Sequence, residues 1–528
     1  MCYNIVGYTK KQRLSANQLN RKEKNIMKTS LRILALLCAL IMLMSCFVGC
    51  KKKTDDPAAT TVATTGEATD EIQFSEALLG ADWGGEECLV LGHQAGRDNS
   101  TPQFENLEIW REEVADDVVG KAVWERNLIL EEKFNFIVNQ KLVAEVKAEM
   151  ANAFGSGQDL YDLCIYRPFD AAKHAEEEYL IDLSTVDYID LEHPSWDQNA
   201  TAQLSIGNSV YFTVSDFLIQ DKDRTEILFY NREMAKQANK PLFEDLVKSG
   251  DWTVEYFGGI VKEFSKDGTG EGNLGDYKAD GTGDYFGLGV PSYDSFATFA
   301  FGAGMELSTL DEYGTITIVN AQEKGGNIIG ALGDFMFDTK MTLYVNDLVP
   351  VDYKAHCQLF SWEKMMFCSD VLSSLDRIHE GEPMASMIDF EYSFLPHPKY
   401  AAGTDTWYTS TPSGTTGAVV AIPITVADPA KSGFFIQALS EASTSTSLFA
   451  FKEQKCKIQN SQDPLAAEML DIVFDAVRYD IASMYDMGKL FTMLSGFGQT
   501  KRNNFEKTFQ QRYDAAVTAA ENLMDKFA

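Results

Sequence analysis

The feature that most constrains the fold is a regular alternation of two patterns between residues 87 and 179. Short apolar runs, which predict β-strands, alternate with stretches whose apolar residues recur at helical spacing. The predicted strands are Glu87–Gly92, Asn135–Val143 and Tyr161–Tyr166. The predicted helices are Glu113–Phe134, Glu145–Phe154 and Phe169–Tyr179. Strands connected through helices run parallel, so this order predicts an α/β fold with a largely parallel sheet covered by helices.

The rest of the chain continues with strand and helix patterns and is too long for one core. Further predicted strands are Ile227–Asn231, Met384–Phe390 and Thr416–Pro423, and a hairpin is predicted over Leu204–Val214. Further predicted helices are Phe360–Leu375, Ala427–Ala442, Pro464–Met484 and Gln510–Phe527. A chain of 528 residues exceeds what a single hydrophobic core supports, so the sequence predicts at least two lobes.

A stretch near the N-terminus has the anatomy of a secretory signal. Lys28 and Arg32 precede the apolar run Ile33–Met44, which is too short to span a bilayer, and small residues then lead to Cys50. The stretch resembles a bacterial lipoprotein signal, in which a cysteine after a small residue is acylated. We therefore predict a signal peptide over residues 27–49 and a lipid anchor at Cys50. Cys46 is a competing anchor site, and an ordinary cleaved secretion signal is the alternative.

Two segments beside the signal are predicted to lie outside the fold. Residues 1–26 are polar and mixed in charge, and Met27 is the better start, so we interpret them as a non-native upstream extension. Thr54–Asp70 is rich in Thr and Ala without apolar periodicity, which predicts a flexible tether over residues 50–82. Folded structure is expected from about Trp83.

The charge balance excludes one class of partner. The chain has 46 Lys and Arg against 78 Asp and Glu, a net charge of −32. Loss of residues 1–49 removes eight basic residues and one Glu, which makes the net charge −39. A field of this sign repels nucleic acid and anionic lipid headgroups, so no nucleic-acid partner is predicted.

Cysteine usage predicts neither a disulfide framework nor a zinc site. The cysteines after Cys50 are irregularly spaced and include no C-x-x-C pair. They are Cys88, Cys164, Cys357, Cys368 and Cys456. A single bridge between Cys357 and Cys368 is left open as an alternative. The six histidines lie far apart in the sequence, without the spacing of metal ligands.

No catalytic residue and no cofactor is predicted. The sequence contains no G-x-S-x-G, H-E-x-x-H or Walker-type motif. Gly270–Gly275 matches G-x-G-x-x-G, but no strand precedes it and carboxylates that would repel phosphate surround it. The acidic residues of the same loop are candidate Ca²⁺ ligands, although the EF-hand spacing fails and a solvated loop is the alternative. These candidates are Asp267, Asp276, Asp280 and Asp284.

Short segments spread from about Trp83 to the C-terminus share the pattern of one family. They are Val123–Asn127, Glu131–Asn135, Tyr161–Leu163, Leu180–Leu183, Pro194–Asp197, Phe229–Arg232, Trp252–Thr253, Leu395–Tyr400, Ala418–Pro423 and Asp428–Pro429. Together they resemble the extracellular solute-binding proteins of bacterial ABC importers, in the lipoprotein branch (family 1) that includes maltose-binding-like proteins. One segment departs from the family pattern at Ser195.

The resemblance implies a type II periplasmic-binding-protein-like fold, in which two α/β lobes joined by hinge strands close on a ligand. By this analogy the first lobe covers residues 83–213, and residues 418–449 return to it. The second lobe covers residues 214–417 and 450–528. Val210–Asp216 is the predicted first crossing between the lobes.

A carbohydrate is the predicted ligand. A sugar ring stacks on an aromatic face while charged and amide side chains bind its hydroxyls, so a sugar site needs both kinds of residue. The candidates at predicted strand ends and hinges are Arg167, Trp196, Asp216, Trp362, Asp389, Glu391 and Trp407. These candidates include no basic cluster, which argues against phosphate or polyanionic ligands.

The sequence therefore predicts a non-enzymatic receptor, anchored by lipid to the outer face of the cell membrane. It would capture a carbohydrate or oligosaccharide and pass it to the permease subunits of an ABC importer. Two alternatives come from other classes of function. One is a surface glycoside hydrolase or lyase, and the other is a structural surface lipoprotein without a small ligand.

Overall fold

Two larger β-sheets, a two-stranded sheet of β6 and β7, and flanking helices make up the described part of the chain. The computed structural model describes residues 72–94, 105–112, 117–375, 388–403, 414, 417–461 and 463–527. The strands are β1 (Glu86–His93), β2 (Phe136–Val143), β3 (Leu163–Tyr166), β4 (Glu226–Asn231), β5 (Phe286–Val290), β6 (Ser308–Leu310), β7 (Ile316–Ile318), β8 (Thr342–Tyr344), β9 (Met365–Val371), β10 (Tyr392–Leu395) and β11 (Val419–Ala421).

Helices connect these strands and cover both larger sheets. They are α1 (Val118–Phe134), α2 (Val146–Ser156), α3 (Pro168–Glu176), α4 (Gln198–Leu204), α5 (Ile219–Asp223), α6 (Arg232–Gln237), α7 (Phe243–Ser249), α8 (Val254–Phe264), α9 (Ser295–Gly302), α10 (Gln322–Met336), α11 (Ala355–Ser361), α12 (Pro429–Ser445), α13 (Ser447–Phe449), α14 (Pro464–Asp475), α15 (Ile481–Met484), α16 (Leu490–Thr500) and α17 (Phe505–Phe527). A π-helix, Ala450–Asn460, follows α13.

The first sheet has the strand order β2-β1-β3-β11. β1 pairs in parallel with β2 and β3, as the alternating sequence pattern predicts, and β11 is antiparallel to β3. α1 begins later than predicted because Asp117 caps it: the Asp117 carboxylate accepts a hydrogen bond from the backbone N–H of Gly120. The predicted parallel sheet is confirmed for these three strands.

The second sheet is mixed, with the order β10-β4-β9-β5-β8. β5 runs parallel to β8 and β9, whereas β4 is antiparallel to both β9 and β10. The predicted helix over Phe360–Leu375 is wrong, since α11 ends at Ser361, β9 follows it, and only a 3₁₀ helix, Leu372–Leu375, comes after β9. β9 is buried on both faces, so its first four residues, Met365–Cys368, form a continuous apolar run without the alternation that marks a strand.

The strand predicted over Met384–Phe390 is also misplaced. Residues 388–390 lie just before β10 and are not part of it, and residues 384–387 lie outside the described residues. The hairpin predicted over Leu204–Val214 is reduced to a tight turn, in which Ile206 and Ser209 form an isolated bridge. Gly207 and Asn208 both have positive φ, as such a turn requires.

Each larger sheet belongs to its own hydrophobic core. The first core contains β1, β2, β3 and β11 residues with α12 packed against them, and the second contains β4, β5, β8, β9 and β10 residues. Both cores lie within one compact unit, residues 70–528. The two-lobed α/β architecture predicted from the sequence is therefore confirmed.

The chain crosses between the lobes later than predicted. Val214, Phe217 and Leu218 pack in the first core, whereas Ile219 and Ile227 pack in the second. The predicted crossing at Val210–Asp216 is wrong because this segment pairs with first-lobe strands, through bridges such as Thr213 to Val420. The crossing is made by α5 and the residues after it, up to Glu226.

Candidate functional site

A cavity of about 520 Å³ lies between the two lobes. From the first lobe it is lined by Ala202 and Gln203 on α4, a helix whose Ala200 and Leu204 pack in the first core. The second lobe contributes Phe301 at the end of α9 and residues 305–312. A third wall is formed by residues 478–483, between α14 and the end of α15.

The third wall is fixed to the second lobe by one carboxylate. Asp480 accepts hydrogen bonds from the backbone N–H groups of Leu307, at 2.8 Å, and Ser308, at 3.0 Å. The same side chain caps α15 through the backbone N–H of Ser483, at 2.9 Å. Burial raises the pKa of Asp480, although these hydrogen bonds favour its charged form.

A buried ionic network at the crossing contacts residues that line the cavity. Lys222 Nζ lies 2.8 Å from Asp197 Oδ2 and 3.0 Å from Asp221 Oδ2, and Asp221 is fully buried. Burial opposes the charge on Lys222, but the two carboxylates outweigh it and raise the lysine pKa above its ordinary value. Tyr479 donates its hydroxyl hydrogen to Asp221 at 2.9 Å, and its backbone N–H to Gln203 at 2.6 Å. Both lobes and the third wall therefore meet at these charges.

The β6–β7 turn brings the second lobe against the first. The Asp311 carboxylate accepts from the backbone N–H groups of Tyr313 and Thr315, at 2.9 and 2.8 Å. The turn places the Gly314 carbonyl 3.1 Å from the backbone N of Gly207. Gly314 has a φ of +71°, and a Cβ there would lie 2.7 Å from backbone nitrogen of the first lobe, so the contact requires glycine.

None of the six described ligand candidates from the sequence lines this cavity. Trp196 is only 1% exposed, and its indole N–H donates to Gln437 at 2.9 Å. Its rings therefore pack inside the first lobe and present no face to a sugar. Asp216 accepts from the Thr444 hydroxyl at 2.6 Å, and burial raises its pKa. Arg167 follows β3, as predicted, and its guanidinium lies 3.7 Å from the Glu145 carboxylate.

Three candidates lie at the edge of the second sheet that is opposite the crossing. Trp362 precedes β9, and Asp389 and Glu391 precede β10, whereas β9 ends at Val371 beside Glu226. β9 and β10 run in the same direction, so these three residues lie at the amino-terminal edge, opposite the crossing. The Trp362 ring covers Gly281, where a Cβ would lie 2.7 Å from its Cε3. Trp407 and Cys50 lie outside the described residues.

The carboxylates of the Asp-rich loop bind backbone groups of that loop. Asp267 accepts from the N–H groups of Thr269, Gly270 and Gly272, and Asp284 accepts from those of Gly268 and Asp276. Asp280 accepts from Thr282 in the same way. The predicted calcium candidates therefore stabilise loop turns, and no group of three among them converges within the described residues.

The residues that line the cavity were missed by sequence reasoning. They come from α4, the segment after α9, the β6–β7 hairpin and residues 478–483, which are separated by more than 100 positions in places. The only local signal was the Gly207-Asn208 turn, which marks where the first lobe meets the hairpin. Nothing in the sequence pairs that turn with Gly314.

Comparisons with known proteins complete the description. No protein-family model and no curated protein matches the sequence. The GacH receptor of Streptomyces glaucescens, solved unliganded and with acarbose, has a TM-score of 0.48 and 14% identity, covering 84% of this chain and 99% of that chain. The maltose/maltodextrin-binding domain MalE from Bdellovibrio bacteriovorus, bound to maltotriose, has a TM-score of 0.49 and 12% identity, covering 83% and 100%.

RafE from Streptococcus pneumoniae, in its apo form, also has a TM-score of 0.49 and 12% identity, covering 84% of this chain and 100% of that chain. The chain is thus similar in structure to sugar-binding proteins.

Within the residues that the structure describes, no helix combines the length and the apolar character that crossing a bilayer requires.

Proposed function

We propose that this chain is a non-enzymatic solute-binding protein, which captures a carbohydrate between its two lobes for uptake by an ABC importer. The observation that carries the proposal is the inter-lobe cavity. Its volume of about 520 Å³ falls in the range of small-molecule sites, and both lobes contribute walls. A ligand that contacts both walls favours the arrangement in which the lobes are together.

The chemistry of the cavity suits a neutral polyhydroxylated ligand. Gln203, Arg478 and Asp311 offer amide, guanidinium and carboxylate groups, which bind hydroxyls as donors or acceptors. Phe301 and Met305 supply apolar surface, against which the C–H face of a sugar ring can pack. Glu306 and Glu312 add further negative charge, which disfavours phosphorylated or carboxylated ligands.

The location is part of the same proposal. The segment 27–49 and Cys50 support attachment to the outer face of the cell membrane through lipid. We expect Cys50→Ala to move the protein from the membrane fraction to the soluble fraction in the absence of detergent, because lipid and no spanning helix would hold it. Cys46→Ala is the matched variant. If Cys46→Ala releases the protein and Cys50→Ala does not, the assigned anchor is wrong.

A thermal-shift panel of sugars, peptides and amino acids tests the function. A receptor gains stability by mass action, by about 2.7 kcal/mol at a ligand concentration of 100 times Kd. We expect one class of sugar to raise Tm and to be recovered unchanged. Conversion of any glycan into products would show a glycoside hydrolase or lyase. The absence of a shift with every compound would favour a structural surface protein.

A further inference from the structure

Three side chains with metal-binding donor atoms converge in the second lobe, outside the inter-lobe cavity, and the Asp370 carboxylate lies beside two of them. His356 and Cys357 lie at the start of α11, and Cys368 and Asp370 lie on β9. His356, Cys357 and Cys368 are each less than 5% exposed, and the Asp370 side chain is 15% exposed. The donor atoms of the histidine and the two cysteines all lie within 4.8 Å of one another.

Three separations between these donor atoms, all measured from Cys357, match those around one tetrahedral ion. Cys357 Sγ lies 3.9 Å from Cys368 Sγ, 3.5 Å from His356 Nε2 and 3.5 Å from Asp370 Oδ2. Zinc–ligand bonds of about 2.3 Å to sulfur and about 2.0–2.1 Å to nitrogen or oxygen place two sulfurs about 3.8 Å apart. The same bonds place sulfur about 3.5 Å from nitrogen or oxygen.

One separation is shorter than a shared ion would require, and Asp370 lies outside the group of three residues whose donor atoms are all within 4.8 Å of one another. His356 Nε2 and Asp370 Oδ2 are 2.7 Å apart, which is the length of a hydrogen bond between imidazole and carboxylate. A bound cation would replace the proton of this hydrogen bond. Both atoms then act as ligands, since a neutral imidazole nitrogen and a carboxylate oxygen are normal zinc donors.

The surroundings hold the ligands in place. The second carboxylate oxygen of Asp370 accepts from the backbone N–H of Val371 at 2.7 Å, which leaves Oδ2 directed at His356. Gly289 on β5 makes room for the histidine, because a Cβ at Gly289 would lie 2.8 Å from His356 Cβ. A strand, a helix and a neighbouring backbone therefore position His356, Cys357 and Cys368 before any ion binds.

We propose that His356, Cys357 and Cys368 bind one zinc ion that clamps α11 onto β9, and that the Asp370 carboxylate turns toward the ion as its fourth ligand. Four protein ligands with N, S and O donors define a closed structural site, without the open position that a catalytic zinc needs. Sequence reasoning missed this site because its ligands are adjacent or eleven residues apart, on a helix and a strand, and form no recognised spacing.

A disulfide between the two cysteines is the competing outcome. Both are free, and their sulfurs at 3.9 Å are well beyond the length of about 2.05 Å for a bonded pair. Bond formation would remove two hydrogens and two ligands, and no zinc could then bind. Zinc and the disulfide are thus mutually exclusive states of one cysteine pair, and the mass of the chain distinguishes them.

The test begins with the metal content of the full chain, purified without a histidine tag and without chelator. We expect about one zinc ion per chain by elemental mass spectrometry after excess metal is removed. Cobalt substitution should give the thiolate charge-transfer and tetrahedral ligand-field absorption of a two-sulfur site. Neither measurement requires a variant, so neither depends on how well a variant folds.

Variants assign the site to these residues. Cys357→Ser and Cys368→Ser should each lower zinc content at least tenfold, whereas Cys88→Ala, at a buried cysteine of the first lobe, should keep it. Chelator should lower the Tm of the parent chain and leave that of Cys357→Ser unchanged. Substoichiometric zinc in the parent chain after zinc loading would overturn the proposal. So would an intact mass two hydrogens lower with no free thiol at Cys357 and Cys368.

Discussion

Arg126 in the first lobe and Arg232 in the second are both buried, but the two lobes satisfy their charges with different partners. Arg126 is fully buried and donates to the backbone carbonyls of Glu108 and Ile109, at 2.8 and 3.0 Å. Burial lowers the pKa of Arg126 to about 9. Arg232 instead forms ion pairs with Glu244 and Asp463.

The comparison of the two arginines shows which buried charge depends on a single partner. Around Arg126 the acceptors are mostly neutral dipoles, and such groups lose one hydrogen bond each if the arginine is removed. Around Arg232, removal of the arginine leaves Glu244, which is fully buried, without its cation. Arg232 therefore depends on paired charges, while Arg126 depends mainly on backbone acceptors.

The largest expected effect on stability distinguishes Arg232, with its ion pairs, from Arg126, with its backbone acceptors. Arg232→Met should lower the free energy of unfolding by about 3–5 kcal/mol, because an uncompensated carboxylate stays buried. Arg126→Met should cost about 1–3 kcal/mol, because carbonyl acceptors lose only a donor. Urea denaturation of both variants measures the two losses of unfolding free energy. Equal losses of unfolding free energy, or a larger loss for Arg126→Met, would remove the distinction between the two arginine sites.

The next effect concerns the pH dependence of the first lobe. Burial raises the pKa of Glu108 to about 7 from an ordinary 4.5. The native state then binds more protons than the unfolded state between these values, so this residue lowers stability as pH rises from 4.5 to 7. The free energy of unfolding lost through this residue reaches about 3 kcal/mol above pH 7.

Glu108→Gln should abolish that contribution. The variant should match the parent chain near pH 4.5 and exceed its free energy of unfolding by about 3 kcal/mol at pH 8. Urea midpoints across this pH range provide the measurement. If the free energies of unfolding of the variant and the parent chain differ by the same amount at every pH, Glu108 titrates normally.

A smaller effect compares the buried tryptophans of the two lobes. The Trp196 indole donates to Gln437, and the Trp252 indole donates to the Pro396 carbonyl, each at 2.9 Å. Trp252→Phe should cost about 1–3 kcal/mol, since it leaves a buried carbonyl without its donor. Trp196→Phe should cost less, because Gln437 also accepts from the backbone N–H of Asp190 at 3.1 Å. Neither should change sugar affinity. Weaker binding by Trp196→Phe at unchanged stability would restore Trp196 as a ligand contact.

The sequence predicted the first lobe better than the second for a physical reason. β1, β2 and β3 are joined by single helices, so the pattern from Glu87 onward contains the sheet order almost directly. In the second lobe, β4 pairs with β9 and β10, which lie more than 130 residues later. Local patterns do not contain such pairings, and the burial of β9 on both faces hid it within a predicted helix.

The site was predicted less well than the fold. Strand ends suggested Arg167 correctly as an edge residue, but Trp362, Asp389 and Glu391 were placed without knowledge of strand direction. Aromatic and acidic residues are common at both edges of a sheet, so residue type alone could not select an edge. The cavity depends on contacts between lobes, such as Gly314 with Gly207, which no single segment encodes.

The most direct test of the account asks whether the sugar binds in the inter-lobe cavity. Ala202 is exposed on α4 and lines the cavity, so Ala202→Trp should fill the space from the first lobe without disturbing either core. Ala279→Trp, at an exposed position of the Asp-rich loop, is the matched control. Calorimetric titration with the sugar found in the panel should show at least tenfold weaker binding for Ala202→Trp, or about 1.4 kcal/mol, and unchanged binding for the control. Equal affinity of both variants and the parent chain would contradict the account.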